Sequence, residues 1–276
     1  MNFLGIDFED WYHPELVDPF VSEEMKTPRM HNGLDKILGL LRNTNTKATF
    51  FLVGELAESN PEIIDKILEE DHEIGFHTMS HTRLDSENFQ PIFNEELEKF
   101  EKITSKKAIG FRAPTFSLNE KSSWVIDELI NNNYKYDSSV VPAKTSMYGI
   151  PTAPKSPYKI SKSSLDKNDE NGILMEFPLL VTKFFGKKIP AAGGFYLRTL
   201  PLSTIKNAIK SYEKNNIPAS MYIHSWELTP ELIPKIKLPK KNHFITFHKI
   251  DKAFSKMEKL LLEFKFTKFE SALTKL

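Results

Sequence analysis

The chain has 276 residues, 40% of them apolar and 12% aromatic, enough to bury a substantial core, and α/β barrels of this size fold as single domains. Its 37 Lys and Arg balance 37 Asp and Glu, so no basic excess points to nucleic acid or anionic lipid, and no acidic tail to a solvating role. The absence of cysteine excludes disulfides and thiolate zinc sites, so any metal must be held by His, Asp or Glu.

Short apolar runs alternate with helical patterns along the chain. Phe3–Phe8 reads as a buried strand, and Leu34, Ile37, Leu38 and Leu41 give Gly33–Arg42 a helical spacing. Ala48–Val53 is a second strand, and Asn60-Pro61-Glu62 opens a helix with Pro at its first position. Strand Glu73–His77, helix Pro91–Ile103, strand Ala108–Arg112 and helix Asn119–Asn131 follow. The rhythm breaks between about Pro142 and Gly172, a Pro-rich surface excursion with room for short antiparallel strands. It resumes with strand Ile173–Phe177, helix Leu202–Asn215, strand Ala219–His224, helix Lys249–Phe264 and a short strand Phe266–Phe269. Such alternation predicts a parallel sheet covered by helices, in one domain spanning residues 1–276.

Met1-Asn2 runs directly into a short apolar stretch that ends at Asp7, without the basic start and longer apolar core of a secretory signal. No run approaches the roughly 20 residues of a membrane span. The expectation is a cytoplasmic protein that does not span a membrane.

Polar residues gather where the strands end, and in a parallel barrel those ends share the face on which active sites are built. Strand one ends in Asp7-Phe8-Glu9-Asp10-Trp11, strand three in Gly75-Phe76-His77-Thr78-Met79-Ser80-His81, strand four in Gly110-Phe111-Arg112-Ala113-Pro114-Thr115, and a late strand in Tyr222-Ile223-His224-Ser225-Trp226-Glu227. Four distant segments bringing acids, His, Arg and His to one rim are difficult to explain by packing. A zinc-protease His-x-x-x-His would need Glu after its first His, where Thr78 stands. Three acids crowded at one strand end repel one another, and a divalent cation relieves that repulsion.

His72-Glu-Ile-Gly-Phe-His-Thr-Met-Ser-His81 resembles the signature of the polysaccharide deacetylase family, the group with the NodB homology domain (carbohydrate esterase family 4-like). The resemblance extends over nearly the whole chain through Ala48-Thr49-Phe50-Phe51 with Gly54, Phe111-Arg112-Ala113-Pro114, Tyr134-Lys135-Tyr136-Asp137-Ser138-Ser139 and Ile223-His224. Asp7-x-Glu9-Asp10-Trp11, Gly193-Gly194-Phe195-Tyr196-Leu197-Arg198 and His224-x-Trp226-Glu227 are similar to a subgroup associated with exopolysaccharide and surface-glycan gene clusters, although Ser225 stands where that subgroup usually has Pro. The family implies a distorted seven-stranded (β/α) barrel.

The resemblance also implies roles. Asp10, His77 and His81 would hold one divalent metal ion, zinc in first place with cobalt, nickel, manganese or iron as alternatives. Asp7 would be the base that deprotonates water, and Glu9 is a candidate for base or ligand, because the first motif departs from the family's Thr-Phe-Asp-Asp-Gly. Alternation puts Asp7 and Glu9 on one side of an extended strand and Asp10 on the other unless the chain turns. His224 would protonate the leaving amine, and Arg112 would orient a carboxylate. Thr115 would offer a backbone N–H to the oxyanion. Trp11, Tyr196 and Trp226 either stack on sugar faces or pack at the rim. The function implied is removal of an N-acetyl group from an amino sugar or glycan intermediate, nucleotide- or lipid-linked, in surface polysaccharide synthesis. A deformylase or a small cyclic-amide amidohydrolase is the alternative among hydrolases, and a catalytically silent glycan-binding module is the alternative outside them.

Overall fold

A computed structural model describes residues 1–105 and 108–273. Its strands are β1 (Asn2–Phe8), β2 (Thr49–Leu52), β3 (Glu73–Phe76), β4 (Gly110–Phe111), β5 (Tyr136–Asp137), β6 (Tyr158–Ile160), β7 (Leu174–Glu176), β8 (Val181–Phe184), β9 (Lys187–Pro190), β10 (Ser220–His224) and β11 (Phe266–Thr267). Helices α1 (Leu34–Asn43), α2 (Gly54–Ser59), α3 (Glu62–Glu69), α4 (Phe93–Thr104), α5 (Val125–Asn131), α6 (Gly194–Thr199), α7 (Leu202–Lys214), α8 (Ser225–Leu228), α9 (Lys240–Phe247), α10 (Ala253–Glu263) and α11 (Glu270–Leu273) connect them. No helix among the described residues is long and apolar enough to cross a membrane.

Strands β10, β1, β2, β3, β4, β5 and β7 lie side by side and parallel, with β6 added antiparallel to β7. Just past β7, Leu179 bridges to Ser220 at the start of β10, and this contact curls the sheet into an incomplete seven-stranded barrel. The predicted barrel is therefore present, and the antiparallel β6 lies inside the Pro-rich excursion. All of β1 is buried, as expected of a parallel strand covered on both faces.

Six stretches depart from the periodicity of the sequence. The segment expected as one helix from Asn119 divides into a short turn at Glu120–Ser122, opened by a capping box between Asn119 and Ser122, and then α5. The expected helix from Lys249 starts as a turn at Ile250–Lys252 before α10. Helices α2, α6 and α9 and the β8–β9 hairpin had no periodic signal. In α9 the apolar residues Phe244, Ile245 and Phe247 are nearly contiguous, so no helical stripe is visible.

Below the sheet, Phe3, Phe51, Tyr136, Phe177 and Phe269 close the barrel floor. Phe269 stacks on Phe3 at 5.2 Å and on Tyr136 at 5.7 Å, so the end of the chain plugs the start. Phe269→Ala should cost about 3–5 kcal/mol, read as a lower denaturant midpoint at unchanged m-value.

Candidate active site

The upper ends of β1, β3, β4 and β10 converge on one pocket lined by Asp7, Glu9, His77, His81, Thr115, His224 and Trp226. Glu9, His77 and His81 each offer a ligand atom, all within 4.8 Å of one another. Glu9 Oε1 accepts the Trp226 indole N–H at 2.8 Å. Glu9 Oε2 is buried without a hydrogen bond, although it stands 2.6 Å from His81 Nε2. An imidazole nitrogen and a carboxylate oxygen brought this close, with His77 beside them, form a donor set that suits a shared cation. Burial alone would raise the Glu9 carboxyl, but the imidazoles of His81, His224 and His77 hold it well below the usual carboxylate range.

His77 donates Nδ1–H to the Arg112 carbonyl at 2.6 Å, which leaves its Nε2 lone pair for the pocket. Burial pushes its pKa down to about 4, against the pull of Asp7 and Glu9, so the ring is neutral as a metal ligand must be.

Asp10 does not join this cluster. Its carboxylate accepts the backbone N–H groups of Trp11 (2.9 Å), Arg29 (2.7 Å) and Met30 (3.0 Å), fastening the 11–30 loop to the barrel. Asp7, near the end of β1, and Glu9, just past it, both line the pocket, as alternation would place them, whereas Asp10 faces the 11–30 loop. Glu9 thus takes the place that the sequence reading favoured for Asp10.

Asp7 Oδ1 accepts from Arg112 Nη1 at 2.6 Å. Arg112 is fully buried and also donates to the Ser138 carbonyl (3.0 Å) and hydroxyl (2.9 Å), while its guanidinium lies 4.1 Å over the Phe51 ring. The Tyr-Asp-Ser segment therefore supports Arg112, and Ser139 supports the next residue by accepting the Ala113 N–H. A Cβ on Gly5 would sit 2.3 Å from Arg112 Nη1. Gly5→Ala should displace the guanidinium and release Asp7, lowering turnover by about 10²-fold or more with a stability loss of about 1–3 kcal/mol. Steady-state kinetics alongside thermal unfolding would separate the two effects.

Across the pocket, His224 Nδ1–H donates to Glu227 Oε2 at 2.7 Å, and Arg198 Nε donates to Glu227 Oε1 at 2.6 Å. Burial would lower the His224 pKa, but the Glu227 carboxylate overrides it and pushes the value up to about 9. Arg198 also binds the Ile245 and His248 carbonyls, tying the pocket wall formed by Ile245 and Thr246 to this relay. Neither Arg198 nor Glu227 received a role in the sequence reading, although both ended motifs it had marked.

The three aromatic candidates separate. Trp11 is buried beside Tyr12 and Trp226, its indole N–H bound to the Thr27 carbonyl, so it is packing and has no face for a sugar. Tyr196 is half-buried against the core, and its neighbour Phe195 lines the pocket in its place. Trp226 is on the wall, but it stacks on the His224 ring at 4.9 Å and grips Glu9, so it positions both. Thr115 lines the pocket in a left-handed backbone conformation. Ser225, the departure from the subgroup, accepts the Glu9 N–H at 3.1 Å and donates to the Glu9 carbonyl, fixing that backbone.

Comparison with known proteins agrees with this architecture. Residues 25–134 match the polysaccharide deacetylase family, and residues 138–274 match a domain family of unknown function. A peptidoglycan-N-acetylglucosamine deacetylase of Bacillus cereus is 34% identical over 87 residues, which are 31% of this chain and 41% of that protein. A second B. cereus protein of the same name is 44% identical over 81 residues, 29% of this chain and 28% of the other. The matched stretch thus spans less than half the length of each relative. Among solved structures, a Mycobacterium smegmatis protein described as a polysaccharide deacetylase superposes with a TM-score of 0.58 at 16% identity, covering 99% of this chain and 90% of that one. An allantoinase superposes at 0.52 and 14% identity, covering 81% and 76%. At these identities the likeness is one of fold. The segment that carries His77 and His81 thus matches the polysaccharide deacetylase family, and the barrel in which it is set has the fold of a solved structure so described.

Proposed function

We propose that the protein is a divalent-metal-dependent hydrolase that removes the N-acetyl group of an amino sugar in a glycan or glycan intermediate. The observation that carries this reading is the Glu9–His77–His81 cluster, with a buried Glu9 oxygen set against the His81 imidazole, flanked by Asp7 on one side and His224 on the other. Two imidazoles and one carboxylate are a donor set suited to zinc, and they leave open positions for water and a carbonyl oxygen. A cation held there supplies a Lewis acid that polarises the amide carbonyl and acidifies water.

The chain's own residues do the rest. Asp7, held by Arg112, takes the proton from the attacking water. The Thr115 N–H faces the oxygen on which negative charge develops. His224, protonated through Glu227, delivers a proton to the amine nitrogen as the C–N bond breaks, so that acetate and a free amine leave. Phe116, Phe195 and Tyr222 give the pocket an apolar wall for a sugar ring face and the acetyl methyl. The names of the B. cereus relatives support an N-acetylglucosamine unit, and the motifs shared with the surface-glycan subgroup support a nucleotide- or lipid-linked intermediate of surface polysaccharide synthesis.

Chelation tests the metal requirement. Acetate release from a chito-oligosaccharide and from UDP-N-acetylglucosamine should vanish in the metal-free protein and return with zinc or cobalt. Acetate release that persists in protein shown by elemental analysis to hold no metal would overturn the reading. A cyclic-amide substrate yields no acetate, so the same assay separates that alternative.

A further inference from the structure

Strands β8 and β9 form a two-residue hairpin whose turn residues, Phe185 and Gly186, both have positive φ (46° and 77°). Gly suits such a turn, but a bulky aromatic in the left-handed region is strained. Phe185 is nevertheless 91% exposed, more than the other exposed large apolar side chains among the described residues, and its ring contact is its neighbour Phe184 at 4.6 Å. Phe184 in turn packs on the core and anchors the base of the tip.

The same hairpin is basic. Lys183 pairs across the strands with Lys188, and Phe184 with Lys187. Lys155 lies close enough to act on Lys188, whose pKa is lowered by burial and by the charges of Lys155 and Lys183. From Phe177 to Tyr212 the sequence contains no Asp or Glu, so nothing on these strands neutralises the lysines. The balanced charge of the whole chain conceals this local excess.

We infer that the β8–β9 hairpin docks on an anionic lipid surface, with Phe185 entering the interfacial layer and Lys155, Lys183, Lys187 and Lys188 meeting the headgroups. An apolar tip ringed by long-stemmed ammonium groups matches the polarity gradient of a bilayer surface. A protein partner would need a far larger contact area than one ring offers, on the order of 800 Å² per side. A sugar-binding aromatic is held rigid with one face offered, whereas Phe185 is supported only by its neighbour. Beyond β9 the chain runs through Ala191 and Ala192 straight into Gly193–Phe195 at the pocket, so docking would bring the pocket to a lipid surface. This inference stands independently of the proposed hydrolysis.

The full chain is to be sedimented with vesicles of phosphatidylcholine alone and with roughly one third phosphatidylglycerol. Wild-type protein should sediment with the anionic vesicles only, and less as salt rises. Phe185→Ser and the double variant Lys183→Glu/Lys187→Glu should each weaken this binding by about tenfold or more, with melting temperature and hydrolysis of a water-soluble substrate unchanged. Phe185→Trp should show a blue-shifted emission on anionic vesicles. Equal binding to both vesicle types, or binding by Phe185→Ser equal to wild type, overturns the proposal. So does a Phe185-dependent retention on an anionic polysaccharide in the absence of vesicle binding.

Discussion

Glu9→Gln is expected to abolish metal binding and acetate release, a loss of about 10³-fold or more, whereas Asp10→Asn keeps both and loses stability. The two carboxylates are adjacent in sequence and both buried, yet their partners differ in kind. Glu9 offers a buried oxygen to two imidazoles, and the amide of Gln still accepts the Trp226 N–H, so the fold survives while the charge that holds the cation is gone. Asp10 accepts three backbone N–H groups, and Asn can present only one oxygen to them. One of its NH₂ donors then faces another donor, at a cost of about 1–3 kcal/mol. Elemental analysis, acetate release and thermal unfolding of both variants decide the assignment. Metal retained by Glu9→Gln and lost from Asp10→Asn would reverse it.

That choice marks how far the sequence could be read. The strand ends bearing Asp7, His77, Arg112 and His224 were legible because each lies at the end of a short buried run, and in a parallel barrel such ends meet. The division of labour in the first motif turned on whether the chain stays extended past Phe8, which no local pattern decides. Ser225 holds the Glu9 backbone from 216 positions away, and that long-range contact fixes the residue just past the strand end. The wall residues Ile245 and Thr246 were illegible for a different reason. They sit on α9, which shows no amphipathic stripe, and reach the pocket through the Arg198 hydrogen bonds that hold their segment. Trp11 and Trp226 look alike as rim aromatics, and only the long-range partner of each indole N–H distinguishes a packing residue from a positioning one.

Removing the charge from the acid relay should have the second large effect, and it should appear in the pH profile. His224 must be protonated to deliver a proton, so activity is lost as pH rises through its pKa. Burial would by itself favour the neutral ring, and the Glu227 carboxylate at 2.7 Å reverses this, placing the alkaline limb near pH 9. In Glu227→Gln the burial penalty stands unopposed by that charge, and the limb should fall to the unperturbed value of about 6.5 or below. At pH 8 the variant then loses about 30-fold or more in kcat/KM, and at pH 6 much less. Stability follows the same sign. The raised pKa contributes stability that is fully present below about pH 6.5 and is lost as pH rises toward 9, so the wild type should melt higher at pH 6 than at pH 9.5 by this contribution, and the variant should not. The variant also strands Arg198, buried and now without its carboxylate, which should lower stability by about 3–5 kcal/mol at every pH. Glu227→Asp keeps the charge and controls for that loss: it should retain an alkaline limb above neutrality even if its rate is reduced. An unshifted limb in Glu227→Gln, with the protein folded, would mean that another group is the acid.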